Sequence, residues 1–144
     1  MNPKVFISIF LLILVIILAE AIACKDTQDN STTIVFPSSP DSIVSYTKQV
    51  DPLFQERCAI SGCHNSSSFQ AKLDLSSPSY HALMTFSAPV LVVARNANNS
   101  VLYQRLALPA TDINHMPYPG TTQLNSNQIN GIKNWINQGA NDTP

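Results

Sequence analysis

The sequence predicts a small all-α domain of about four helices, and three observations carry that prediction. Capped segments with an apolar side recur from residue 51 to residue 139. No run of alternating strands is visible. The length of 144 residues allows one domain rather than two. The first helical segment carries Asp51-Pro52-Leu53-Phe54-Gln55-Glu56-Arg57. Asp51 suits an N-cap and Pro52 the first helical position, with Leu53 and Phe54 forming the apolar side. The second begins at Ser77-Pro78 and covers Ser79 to about Thr85. The third begins at Asn99 or Ser100, carries Val101, Leu102, Tyr103 and Leu106, and ends before Pro109. The fourth has the clearest signals. Asn125 or Ser126 caps it, Ile129, Ile132 and Ile136 share a face, and Gly139 stands where a C-terminal glycine is expected. Between the second and third, Pro89-Val90-Leu91-Val92-Val93 reads as a short strand or an extended core-filling loop. The loop from Leu108 to Leu124 contains Pro109, Pro117, Pro119 and Gly120. Long ordered loops in compact domains are usually functional.

The N-terminus has a different character. Lys4 precedes Val5 to Ala19, an apolar run broken only by Ser8, and small residues follow. A basic start, a short apolar core and small residues read as an export signal over residues 1–23. The run falls short of the ~20 residues a bilayer span needs. Ala21-Ile22-Ala23-Cys24 resembles a bacterial lipobox, which implies a lipid on Cys24 and a membrane anchor. The alternative is plain cleavage after Ala23, leaving Cys24 a spare thiol. Residues 24–42 are polar and read as a flexible tether, within which Ile34-Val35-Phe36 is the one stretch suited to docking. The domain proper is expected over residues 43–140, with 141–144 as a C-terminal tail. A core this small gains from a staple or an internal cofactor.

Composition narrows the function classes. Only 12% of residues are charged, the formal net charge is -1, and no basic cluster stands ready to neutralise phosphates. A nucleic-acid partner is therefore not expected. Three cysteines leave one unpaired in an exported chain. If Cys58 and Cys63 act together, Cys24 is the remainder, and a lipid accounts for it.

The segment Cys58-Ala59-Ile60-Ser61-Gly62-Cys63-His64 carries the chemistry. Covalent haem requires two neighbouring thiols, one for each vinyl group, and an imidazole that reaches iron from the same side. A histidine directly after the second cysteine meets that requirement. The usual spacing places two residues between the thiols; here there are four. With that variant spacing the segment resembles the c-type cytochrome family. Val50-Asp51-Pro52-Leu53-Phe54 before it, Lys72-Leu73-Asp74-Leu75 and Ser100-Val101-Leu102-Tyr103 after it, Met116-Pro117 and a closing helix with Trp135 extend the likeness over roughly residues 43–140. The resemblance implies a cytochrome c-like helical domain around one covalent haem c held by Cys58, Cys63 and His64. It also implies an electron carrier rather than an enzyme. The two extra residues predict a bulge at Ser61-Gly62, where glycine tolerates backbone geometry that others resist.

A haem that only transfers electrons needs a second axial ligand. Met116 is the best candidate, in a loop stiffened by Pro117 and Pro119. The resemblance supports it, since the family's distal methionine sits in such a loop. His115, His81, Met84 and an open sixth position are the rivals. Neighbours in an extended loop point opposite ways, so only one of His115 and Met116 should face iron. The resemblance also sets Trp135 where the last helix crosses the first, with Gly131 permitting close approach of Phe54 or Leu53.

Other chemistries remain open at the motif. Cys58 and Cys63 suit a disulfide, and Cys58, Cys63, His64 and His115 would make a zinc set. Three functions follow. The first is a membrane-anchored electron carrier on the periplasmic or outer face, serving redox partner proteins. The second is a haem enzyme or ligand sensor with an open sixth site. The third is a non-haem surface lipoprotein stabilised by a disulfide. Residues 43–140 hold six Lys or Arg and four Asp or Glu, a formal +2 that two haem propionates would cancel. Long-range steering to a partner is not expected.

Overall fold

The computed structural model describes residues 34–39, 41–87 and 89–142. The export segment, Cys24 and the first part of the tether lie outside the described residues. Within them the chain is helical and contains no strand. A π-helical turn, Tyr46–Val50, runs into α1, Asp51–Arg57. Then come α2, Tyr80–Thr85, α3, Val101–Ala107, and α4, Ser126–Asn137, with short 3-10 turns at Gln70–Lys72 and Ala97–Asn99. The Pro89–Val93 segment is the extended loop and not a strand. Its only pairing is an isolated bridge between Ser87 and Val90, while Leu91 and Val92 fill the core.

The first helix starts earlier than its capping signal suggested. Asp51 lies inside the helical run, behind the π turn, and the residue at the cap position is Val50. Pro52 has no N–H to give the Lys48 carbonyl, which accounts for the wider turn before it. The Asp51 carboxylate serves the second helix instead. Its Oδ1 accepts from the Ser79 amide at 3.1 Å and the Ser79 hydroxyl at 2.6 Å, and its Oδ2 accepts from the Ser77 hydroxyl at 2.9 Å. Burial opposes the charged form of Asp51, but the hydrogen bonds from Ser79, Ser77 and Tyr46 outweigh it and hold the carboxyl below its usual range. Burial, followed by the nearby Asp51 charge, pushes the Tyr46 hydroxyl up.

Helix α4 is the centre of the core. It is closed at its start by a reciprocal capping box between Asn125 and Gln128, and Gly139 follows it at φ +115°. Ile132, Trp135 and Ile136 are fully buried. The Trp135 ring lies 5.4 Å from that of Tyr46, so the last helix meets the turn that leads into α1. The indole Nε1 donates to the Asn141 carbonyl at 2.8 Å.

Gly131 permits a close approach, but not of Phe54 or Leu53. The ring of Phe36 lies on it, and a Cβ at position 131 would stand 2.0 Å from Phe36 Cδ1. Phe36 is fully buried, and its backbone exchanges two hydrogen bonds of 3.2 Å with the Asn127 side chain. The short apolar stretch at residues 34–36 therefore docks on α4.

Candidate functional site

The end of α1 delivers Cys58, and the chain then loops back on itself. The Cys58 amide still bonds to the Phe54 carbonyl at 2.8 Å, closing the helix. Six residues later the His64 amide donates to the Cys58 carbonyl at 3.0 Å, and the Cys63 amide donates to the Ile60 carbonyl at 3.0 Å. The excursion turns at Gly62, with φ +83° and its amide on Ser68 Oγ at 2.7 Å. The bulge therefore falls where the spacing places it, and it returns Cys63 and His64 to the side of Cys58.

His64 is oriented by backbone. Its Nδ1 lies 3.1 Å from the Gln70 carbonyl. A carbonyl can only accept, so Nδ1 carries a proton, and in the neutral ring Nε2 is the nitrogen with the lone pair. The carbonyl is presented by an unusual stretch of chain. Phe69, Ala71 and Lys72 all have left-handed φ, at 50°, 54° and 61°. Left-handed geometry costs roughly 1–2 kcal/mol for each residue with a Cβ. Such stored strain is typical of positions where geometry matters to function. The turn is held by Asn65, whose side chain accepts from the Ser68 amide at 2.7 Å, and by the Gln70 amide on the Cys63 carbonyl at 3.2 Å.

Cys58, Cys63, His64 and Met116 line one cavity of about 220 Å³, together with Arg57, Ile60 and Tyr118. A second cavity of about 270 Å³ shares Cys58, His64 and Met116 and is walled by Leu73, Leu75, Leu91, Leu102 and Leu106. Each lies just below the ~300–1,000 Å³ typical of small-molecule and cofactor sites, and the three shared residues set them side by side. Both thiols are free. Burial, then the neighbouring Cys63, pushes the Cys58 thiol up to about 12, and Arg57 only partly offsets this.

The four residues considered as partners of His64 separate by the cavity they line. Met116 shares both cavities with His64, and its amide donates to the Arg105 carbonyl at 3.1 Å. His115 is buried on another side, its Nδ1 2.9 Å from the Leu108 carbonyl, beside a separate cavity with Gln123 and Leu124. His81 is exposed on α2, and neither it nor Met84 lines either cavity. Among the described residues, no three His, Cys, Asp or Glu side chains gather as a set able to hold a metal ion by themselves. His115, the fourth ligand of the zinc arrangement, lines a different cavity from Cys58, Cys63 and His64.

Three contributors were not anticipated. Gln70 acts through its carbonyl, which residue type does not reveal. Arg57 and Arg105 stand at the ends of short helical segments, and only the fold shows that both line the cavities.

No family model, no curated protein and no solved structure matches this chain.

Proposed function

We propose that this protein is an exported monohaem c-type cytochrome that carries single electrons between partners at a membrane. The observation that supports it most directly is the shared lining of one cavity by Cys58, Cys63, His64 and Met116. The residues suit the group. Two thiols would hold a haem by thioether bonds, and His64 Nε2 and the Met116 thioether would ligate its iron. Leucines wall the larger cavity, and the buried Arg57 Nε at the smaller one has no hydrogen-bond partner among the described residues. A bound haem supplies one-electron chemistry, and His/Met ligation raises its reduction potential.

The chain's own part is to hold and tune. The Gln70 carbonyl fixes the tautomer of His64 and increases its basicity as a ligand. The leucine wall excludes water and lowers the local dielectric, which favours the less charged reduced state. In the same reading a lipid on Cys24 keeps the domain near its partners. A near-neutral loaded domain relies on tethering more than on electrostatic steering.

The test is expression with a c-type cytochrome maturation system, followed by reduced and oxidised spectra in alkaline pyridine. The expected result is a sharp reduced α band that survives denaturation, at the position of two thioethers. A colourless protein, from cells that mature a control cytochrome correctly, would overturn the haem reading.

A further inference from the structure

Two charged residues line the two cavities, and both are arginines: Arg57 on the smaller and Arg105 on the larger. No Asp or Glu lines either cavity. Arg57 is paired, its Nη2 lying 2.8 Å from Glu56 Oε1, and this is the only ion pair among the described residues. Arg105 stands in the last turn of α3, between Leu102 and Leu106, which line the same cavity. Its Nη1 donates to the Asn114 carbonyl at 3.3 Å, and its own carbonyl accepts from the Met116 amide at 3.1 Å. Asn114 and Met116 also line this cavity.

A guanidinium offers five N–H donors in a planar fork matched to a carboxylate. One of them is engaged on Asn114. Arg105 is half-buried in a largely apolar wall, where a charge-assisted pair with a carboxylate is a strong partner for its remaining donors. The wall therefore suits a ligand with a large apolar body and a carboxylate at its edge.

We propose that Arg105 binds a carboxylate of the group held in this cavity and joins it to the Asn114–Met116 segment, so that seating the carboxylate also fixes the loop that presents Met116. This rests on the haem reading, in which the carboxylate is a propionate. The fork makes a bidentate pair with the propionate while keeping its bond to Asn114. Arg105 is thus a positioning residue for Met116 as well as a ligand-binding one.

The test uses the matured holoprotein, reduced for the nuclear Overhauser measurement and oxidised for the charge-transfer band. In the wild type, nuclear Overhauser contacts are expected between the Arg105 side-chain protons and the methylenes of one propionate. Arg105→Gln is expected to lower the reduction potential, because a cation beside the iron favours the reduced state, and to weaken the methionine-to-iron charge-transfer band. Arg105→Lys, which keeps the charge, is expected to restore most of the potential. Absence of the contacts in a coloured wild type overturns the proposal and leaves the haem reading standing. So does an Arg105→Gln protein with unchanged potential and band. A colourless wild type overturns both. Where Arg105→Gln fails to accumulate, the wild-type contacts decide the matter alone.

Discussion

His64 Nδ1 lies 3.1 Å from the carbonyl of Gln70, and the residues on either side of that carbonyl's turn are left-handed without being glycine. The chain accepts backbone strain to aim one imidazole. Valine at position 71 would make the strain worse, since β-branched residues tolerate positive φ least. Ala71→Val is expected to destabilise the protein by about 1–2 kcal/mol. Ala71→Gly is expected to be neutral or slightly stabilising, because relief of strain is offset by the added freedom of the unfolded chain. Denaturant midpoints of the two variants check this ordering, and equal midpoints would remove strain from the account.

Met116 is expected to be the sixth ligand in the loaded protein. Met116→Ala should abolish the methionine-to-iron charge-transfer band and lower the reduction potential, with covalent haem retained. An unchanged band and potential would place the ligand elsewhere. His115→Ala should leave both nearly unaltered, since His115 faces a different cavity.

Gly131 and Phe36 form a coupled pair. Gly131→Ala would improve helix propensity by up to ~1 kcal/mol. The added Cβ would meet the Phe36 ring at 2.0 Å, and overpacking of this kind costs roughly 1–3 kcal/mol. The net effect is expected to be destabilising. In the Phe36→Leu background the same change should cost clearly less. A double-mutant cycle read by thermal unfolding measures the coupling.

Asp51 joins α1 to α2 through Ser77 and Ser79, and its folded-state pKa is depressed below the ordinary value of 3.8. A depressed carboxylate stabilises the fold above its unfolded pKa, and that stability is lost as pH falls through the folded pKa. Asp51→Asn is therefore expected to lower stability at neutral pH by about 1–3 kcal/mol. The gap to the wild type should close as the solution is acidified below the ordinary carboxylate value. Urea titrations at several pH values follow it; a gap that stays constant into acid would remove the charge from the explanation.

The sequence by itself determined the helical class, the fourth helix and the bulge. Asn125 and Gly139 carry local capping signals whose partners lie within one turn, and Gly62 stands inside the loop it turns. Such signals depend on near neighbours in the chain, so they are legible without a fold. The candidate cluster was half legible in the same way, because Cys58, Cys63 and His64 are close in sequence and their spacing is itself the signal.

Only the tertiary structure decided the rest. Asp51 looked like a cap for its own helix, yet its carboxylate is used 28 positions away on Ser79. Gly131 announced a close contact, but its partner came from residue 36, ahead of the expected domain. Met116 and His115 are adjacent and chemically comparable as ligands, and the direction each side chain takes separates them. Arg105 and the Gln70 carbonyl gain meaning only beside the cavity. In each case the deciding contact is long-range, and long-range packing is set by which apolar surfaces bury together rather than by any local preference.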